Sequence, residues 1–198
     1  MPENFTQWMQ EHVPTLLEFL HIPGVAIATI DGGKASFLGG FGVADLEQNR
    51  PVTAGTQFQL ASISKSVTSW GIMKLVEQGR LDLDAPVENY LHRWRLPPSE
   101  FDHSLVTARR LLSHMAGTSL PGFKGYHPRF PEPTLEQILQ GDVPPLDEIQ
   151  IQYAKDWNEE PDIDRERVPV CVMYPPGEQT IYSGGGFTIL ELLIEEIS

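Results

Sequence analysis

The chain is poor in the residues that would tie it to a metal, a membrane or a nucleic acid. Its 198 residues include one cysteine, Cys171, so no internal disulfide can form. The flanks Val168-Pro169-Val170 and Val172-Met173 give that thiol the setting of a small buried hydrophobe. Lys and Arg number 14 against 27 Asp and Glu, a net charge of −13, which argues against nucleic acid as a partner because clustered positive charge supplies affinity for phosphate backbones. No apolar run is long enough to span a bilayer. The histidines show neither metal-ligand spacing nor accompanying cysteines, so no metal and no cofactor is expected. Gly39-Gly40-Phe41-Gly42 and Gly184-Gly185-Gly186 fit neither a Walker nor a dinucleotide-binding loop, and no internal repeat is visible. Met1 through Gln10 lacks the basic start and apolar core of a signal peptide, which favours a cytoplasmic location; a secreted chain whose signal has been removed is the alternative.

What the chain does have is Ser62-Ile63-Ser64-Lys65 at the head of a run that reads as a helix. Residues at i and i+3 share a helix face, so the Lys65 ammonium can reach the Ser62 hydroxyl, a nucleophile beside its base. Lysine can take the serine proton only where burial or neighbouring cations hold its amine neutral. The apolar segments Phe58 to Ala61 and Val67 to Val76 are expected to supply that burial. At a helix start, backbone N–H groups and the positive dipole end also favour a developing oxyanion. From the tetrapeptide alone, Ser62 as a helix cap and Lys65 as a solvated charge is the favoured reading, because capping is the usual use of serine at a helix start. A second element shifts the balance: Tyr182-Ser183-Gly184-Gly185-Gly186-Phe187 leads into a new amphipathic run and can set a phenol on a cleft face as a proton carrier.

Several segments carry a resemblance. They are Phe58 through Ser66, Leu75 through Val87, Leu111-Leu112-Ser113-His114-Met115-Ala116-Gly117-Thr118, Pro176-Gly177, and Tyr182 through Ile194. In these segments, and in their order, the chain resembles the serine hydrolases that include class C β-lactamases, penicillin-binding proteins, D-amino-acid peptidases and β-lactamase-fold esterases. The resemblance covers nearly the whole sequence. It implies an α+β fold of the β-lactamase/transpeptidase type, an antiparallel sheet with flanking helices plus a helical region. Residue by residue it places the acylated serine on Ser62, the lysine on Lys65 and the motif tyrosine on Tyr182. The third position of the family's Tyr-x-Asn motif falls on Gly184, a substrate-binding position that here has no side-chain amide, which points away from efficient β-lactamases and toward esterases and peptidases.

The family's Lys-Thr-Gly or His-x-Gly triad, carried on a later strand that contributes an oxyanion donor, occurs nowhere in the sequence. The expectation is one incomplete domain lacking its C-terminal strands: residues 1–60 forming an N-terminal helix and the first strands, and residues 61–198 forming the catalytic helix, a helical and loop region and the tyrosine-motif helix. The open sheet edge then predicts self-association or a chain that supplies the missing strands.

Local patterns fill in this outline. Apolar residues at 5, 8, 9, 13, 16, 17 and 20 have helical spacing, ended by Pro23-Gly24. Val25 through Ile30 and Ala35 through Val43 read as strands joined by Asp31-Gly32-Gly33-Lys34. Gly79 reads as a helix C-cap, and Thr107 as the cap of a helix running to Met115 and closed by Gly117. His114 invites a catalytic reading, but hydrogen bonding to the last helix carbonyls is the preferred one. Gly117 to Pro176 reads as long loops over a surface. Their aromatics, Phe123, Tyr126, Phe130, Tyr153 and Trp157, either select apolar substrate groups or pack the loops in place. The acidic run Asp156 to Glu166 reads as a solvated face.

Two functions follow. In the first, Ser62 attacks an ester, peptide or lactam carbonyl of a small-molecule or peptide substrate, Lys65 and Tyr182 relay its proton, and an acyl-enzyme forms. In the second, the chain is a non-catalytic module that complements a partner. The missing triad separates the two readings.

Overall fold

A computed structural model of the protein describes residues 5–120, 122–123, 131–143 and 167–198. Two compact units divide the chain, Met1–Leu60 and Ala61–Ser198.

In the N-terminal unit, α1 (Phe5–Leu20) buries Met9, Val13 and Leu17. Their i, i+4, i+8 spacing puts them on one stripe, which packs with Phe5, Val25, Ile27, Phe37 and Phe41. The hairpin follows as β1 (Gly24–Asp31) and β2 (Lys34–Asp45), with Asp31 opposite Lys34 and a register shift at Thr29/Ile30. Gly32 and Gly33 both take positive φ, the conformation a two-residue turn needs to match strand twist. A two-residue β3 (Arg50–Pro51) completes the order β1-β2-β3. Among the described residues β1 pairs only with β2, so its other edge is open.

The C-terminal unit is helical. A 3₁₀ turn (Ala61–Ile63) leads into α2 (Ser64–Glu77), then α3 (Ala108–Leu112), α4 (Leu135–Gln140) and α5 (Gly184–Ile197). Its core joins Ile72 and Leu75 of α2 and Leu111 of α3 to Phe187, Ile189, Leu190, Leu192 and Leu193 of α5, with Val87, Leu91 and Val106 from the intervening loops. Past α2, Gly79 has φ +70 and the Arg80 N–H returns to the Leu75 carbonyl, the left-handed ending expected of it. Thr107 caps α3 by accepting from the Arg110 N–H. The helix stops at Leu112, short of the expected Met115, because His114 takes φ +57 and cannot continue the α-helical path. The stretch read as loops contains α4, opened by a capping box in which Thr134 and Gln137 exchange side-chain to backbone bonds. The signal Thr134-Leu135-Glu136-Gln137 was present in the sequence. Phe123 packs against the core, whereas Tyr126, Phe130, Tyr153, Trp157 and the acidic run 156–166 lie outside the described residues.

No described helix is long and apolar enough to cross a membrane. Among the described residues no group of three or more His, Cys, Asp or Glu could hold a metal ion.

Candidate active site

The turn before α2 carries the serine. Ala61 has φ +44, a strained value for a residue with a Cβ, at a cost of about 1–3 kcal/mol. Ser62 follows within the 3₁₀ turn; it does not serve as the helix cap, since Ile63 holds the cap position and makes no side-chain cap bond. Lys65, in the first turn of α2, donates from Nζ to Ser62 Oγ at 3.3 Å. Tyr182 donates from its hydroxyl to the same Oγ at 2.7 Å. Three residues predicted from the sequence thus converge on one oxygen, two from one turn of chain and one from 120 positions away.

Lys65 also lies over aromatic rings, its Nζ 4.9 Å from the centre of the Tyr182 ring and 5.6 Å from that of Phe187. Hydrogen bonding with Lys65, then with Ser62, holds the Tyr182 phenol below its ordinary value. The expected apolar burial of Lys65 takes a different form. Val67 and Trp70 are exposed, at 62% and 78%, because they lie on the outward stripe of α2. Lys65 is half-buried, with the Tyr182 and Phe187 rings beside it.

The start of α5 fixes the tyrosine. Ser183 is its N-cap and is buried; its Oγ accepts from the Gly186 N–H at 2.8 Å and from Thr118 Oγ1 at 3.0 Å, and donates to the Ser119 carbonyl at 2.7 Å. The Gly185 N–H donates to the Leu120 carbonyl at 3.1 Å. A Cβ on Gly185 would lie 2.8 Å from the Ser119 carbonyl oxygen, and one on Gly186 2.8 Å from Thr118 Oγ1. The glycine run therefore exists for close approach of helix and loop. Gly184 is buried at the first position of α5, where its carbonyl accepts from Thr188 Oγ1 at 3.3 Å.

His114 belongs to this site by geometry, though the sequence pointed to a helix-end role. Its Nδ1 accepts from the Ser183 N–H at 3.2 Å, and its ring centre lies 4.5 Å from that of Tyr182 and 5.2 Å from that of Phe187. Desolvation, then the Lys65 charge, lower its pKa. The one sequence hint was its place in the Leu111 to Thr118 segment, far along the chain from the tyrosine. Glu191, on α5, is partly buried and accepts from Thr68 Oγ1 of α2 at 3.3 Å. Burial raises its pKa, while the Thr68 bond and the Lys65 charge act against that rise.

Beside Tyr182 a cavity of about 410 Å³ is lined by Thr118, Ser119, Leu120, Val168, Met173, Tyr174, Ile181 and Tyr182. Its walls are set by the pairing of Thr118 with Val172 and by the Met173 and Tyr174 N–H groups, both donated to the Gly117 carbonyl. Cys171 is half-buried behind them, its N–H donating to Ser119 Oγ at 3.0 Å.

A hydroxyl set between a lysine nitrogen and a phenol is arranged for proton transfer at a serine. The mitochondrial serine beta-lactamase-like protein LACTB of Bos taurus is 40% identical over 95 residues, 48% of this chain and 17% of its own length. Esterase EstB of Burkholderia gladioli is 40% identical over 76 residues, 38% of this chain and 19% of its own. The octameric penicillin-binding protein homologue from Pyrococcus abyssi superposes over 97% of this chain and 39% of its own, with a TM-score of 0.63 and 25% identity. The chain therefore has the β-lactamase/transpeptidase-like fold and spans less than half the length of each of these proteins. Residues 9–198 match the family profile described as Beta-lactamase, and the chain belongs to that family.

Proposed function

We propose that this chain carries the acyl-transfer centre of a serine hydrolase, with Ser62 as nucleophile, Lys65 and Tyr182 as its proton relay, and an ester, peptide or lactam carbonyl as the target. The observation that carries this reading is the double hydrogen bond to Ser62 Oγ, from Tyr182 Oη at 2.7 Å and Lys65 Nζ at 3.3 Å. Oγ bonds to the carbonyl carbon while its proton passes to the relay, one member of which must be deprotonated to receive it, as a neutral Lys65 amine or a Tyr182 phenolate. The tetrahedral oxyanion collapses, expelling the alcohol or amine, which leaves with the relayed proton. Water repeats the sequence and frees the acid.

The Ser62 backbone N–H supplies one oxyanion donor. Loss of a single donor from such a hole costs about a hundred- to a thousandfold in rate. The sequence holds neither triad that accompanies the second donor in the resembling proteins. We place that donor on a strand from another segment or another chain. Gly184 offers no amide to a substrate carbonyl, and the cavity walls of Leu120, Met173, Tyr174 and Ile181 favour an apolar acyl group.

The test is incubation with a fluorophosphonate or penicillin-type probe followed by peptide mapping. Labelling at Ser62, lost in Ser62→Ala, is the expected result. Labelling elsewhere overturns the assignment of Ser62, and none, with or without a completing polypeptide, favours the non-catalytic module.

A further inference from the structure

His114 sits against the site and neither catalytic motif includes it. Three of its contacts fall on three consecutive residues. Its carbonyl accepts from the Ile181 N–H at 2.8 Å, its ring packs 4.5 Å from the Tyr182 ring, and its Nδ1 accepts from the Ser183 N–H at 3.2 Å. The middle residue of the three holds the phenol that reaches Ser62. An imidazole nitrogen that accepts a hydrogen bond carries no proton, so the other ring nitrogen must carry it and the ring must be neutral. An imidazolium donates from both nitrogens and would turn a donor toward the Ser183 N–H.

We infer that His114 is a positioning residue that clamps Ile181-Tyr182-Ser183, through a neutral Nδ1 acceptor, so that the phenol stays on Ser62. Its effect on rate rests on the acyl-transfer reading above, whereas the clamp itself does not. Among the described residues the titratable groups facing the ring are Lys65 from α2 and Tyr182 from the clamped segment, and α5 presents the apolar Phe187. Burial and the Lys65 charge both favour the neutral ring that the geometry requires. The backbone adds a constraint: φ is +57 at His114, a region that asparagine enters more readily than most side chains. Asparagine can also place its side-chain oxygen near the Nδ1 position, but it cannot take up a proton.

Nitrogen NMR of the imidazole in the wild-type chain reads the clamp directly. The expected result is an unprotonated Nδ1 and a protonated Nε2 at neutral pH; a proton on Nδ1, or an imidazolium at that pH, overturns the inference. Fluorophosphonate labelling of Ser62 against pH reads its consequence. His114→Ala should slow labelling by about a hundredfold, the scale of a misplaced catalytic group. His114→Asn should recover to within about tenfold of wild type and lose one proton from the acidic limb of the profile. Wild-type rates in His114→Ala, or an unchanged acidic limb in His114→Asn, overturn it. If His114→Ala does not fold, the NMR tautomer and the asparagine profile still decide. A wild-type chain that no probe labels, with or without a completing polypeptide, refutes the acyl-transfer reading, and the tautomer then judges the clamp alone.

Discussion

In the N-terminal unit one helix covers one face of a hairpin, and its buried stripe consists of Met9, Val13 and Leu17. Ile30 and Leu38 of that hairpin stay 75% and 60% exposed. In the C-terminal unit α5 is enclosed on nearly every side, with each position from Gly184 to Leu190 buried. Ser62, Lys65, Tyr182 and His114 all belong to this second unit. The contrast teaches where the site's precision comes from. Two donors can be held on one hydroxyl only by elements whose own positions are fixed, and the unit that holds them has the connected core. Among the described residues the sheet unit has an open edge and an apolar face, features suited to pairing more than to holding small groups in register.

The largest effect should come from removing the relay while leaving its support untouched. Lys65→Arg keeps a cation but cannot yield a neutral amine, since guanidinium stays protonated at any working pH. Acylation of Ser62 should fall by about 10²–10⁴-fold, the range of a lost general base. Tyr182→Phe keeps the ring that packs on His114, removes the hydroxyl on Ser62, and should fall in the same range. Tyr182 is 47% exposed, so its thermal unfolding should stay within about 0.5 kcal/mol of wild type. Wild-type labelling rates in either variant would contradict the assigned roles.

How far the sequence reveals this site depends on the distance each contact spans. The hairpin was legible because Gly32-Gly33 between alternating strands is a local signal, and Ser62 with Lys65 because their spacing is one turn. Tyr182 was legible only through its motif, since nothing near it in sequence shows that it meets Ser62. His114 was misread for the same reason. Its local setting at a helix end suggested carbonyl partners, whereas the partner of its Nδ1 is Ser183, 69 positions on. The apolar run after Ser62 misled in another way: composition suggested burial, but helical periodicity sends Val67 and Trp70 outward while Thr68, Ile72 and Leu75 turn in. Thr134-Leu135-Glu136-Gln137 was a readable capping box whose helix was overlooked in a stretch rich in proline.

Core truncations sharpen the comparison at the next scale. Leu190 is fully buried in α5, and Leu17 is 9% exposed on α1. Leu190→Ala should lie near the top of the range of about 2–5 kcal/mol for such a change, because an enclosed site cannot collapse around the cavity. Leu17→Ala should lie near the bottom. Amide hydrogen exchange would locate the losses. Leu190→Ala should quicken exchange in α2, α3 and α5, and Leu17→Ala in α1 and the β1–β2 hairpin. Equal losses in the two variants would remove the difference in packing on which the comparison stands.

The smallest effect concerns Glu191, the carboxylate that α5 turns toward Thr68. Burial raises its pKa, and the Thr68 bond and Lys65 charge act against that rise without cancelling it. For an acid whose folded value lies above its unfolded value, about 4.3 for glutamate, the folded state binds more protons in the window between the two. Stability therefore falls as pH rises through that window, and the full penalty is present above the folded value. Glu191→Gln keeps an oxygen for the Thr68 hydroxyl and cannot ionise. At neutral pH it should melt slightly higher than wild type, by under about 1 kcal/mol once discounted for the solvent that still reaches the group. That corresponds to no more than about 2–4 °C for a chain of this size. Below the unfolded carboxylate value Glu191 is neutral in both states, and the two melting curves should converge. Thermal unfolding of both proteins at acidic and neutral pH checks this. A variant that melts lower at neutral pH would mean that attraction between Glu191 and Lys65 outweighs the burial penalty, and Glu191 would then count among the groups that hold the lysine at Ser62.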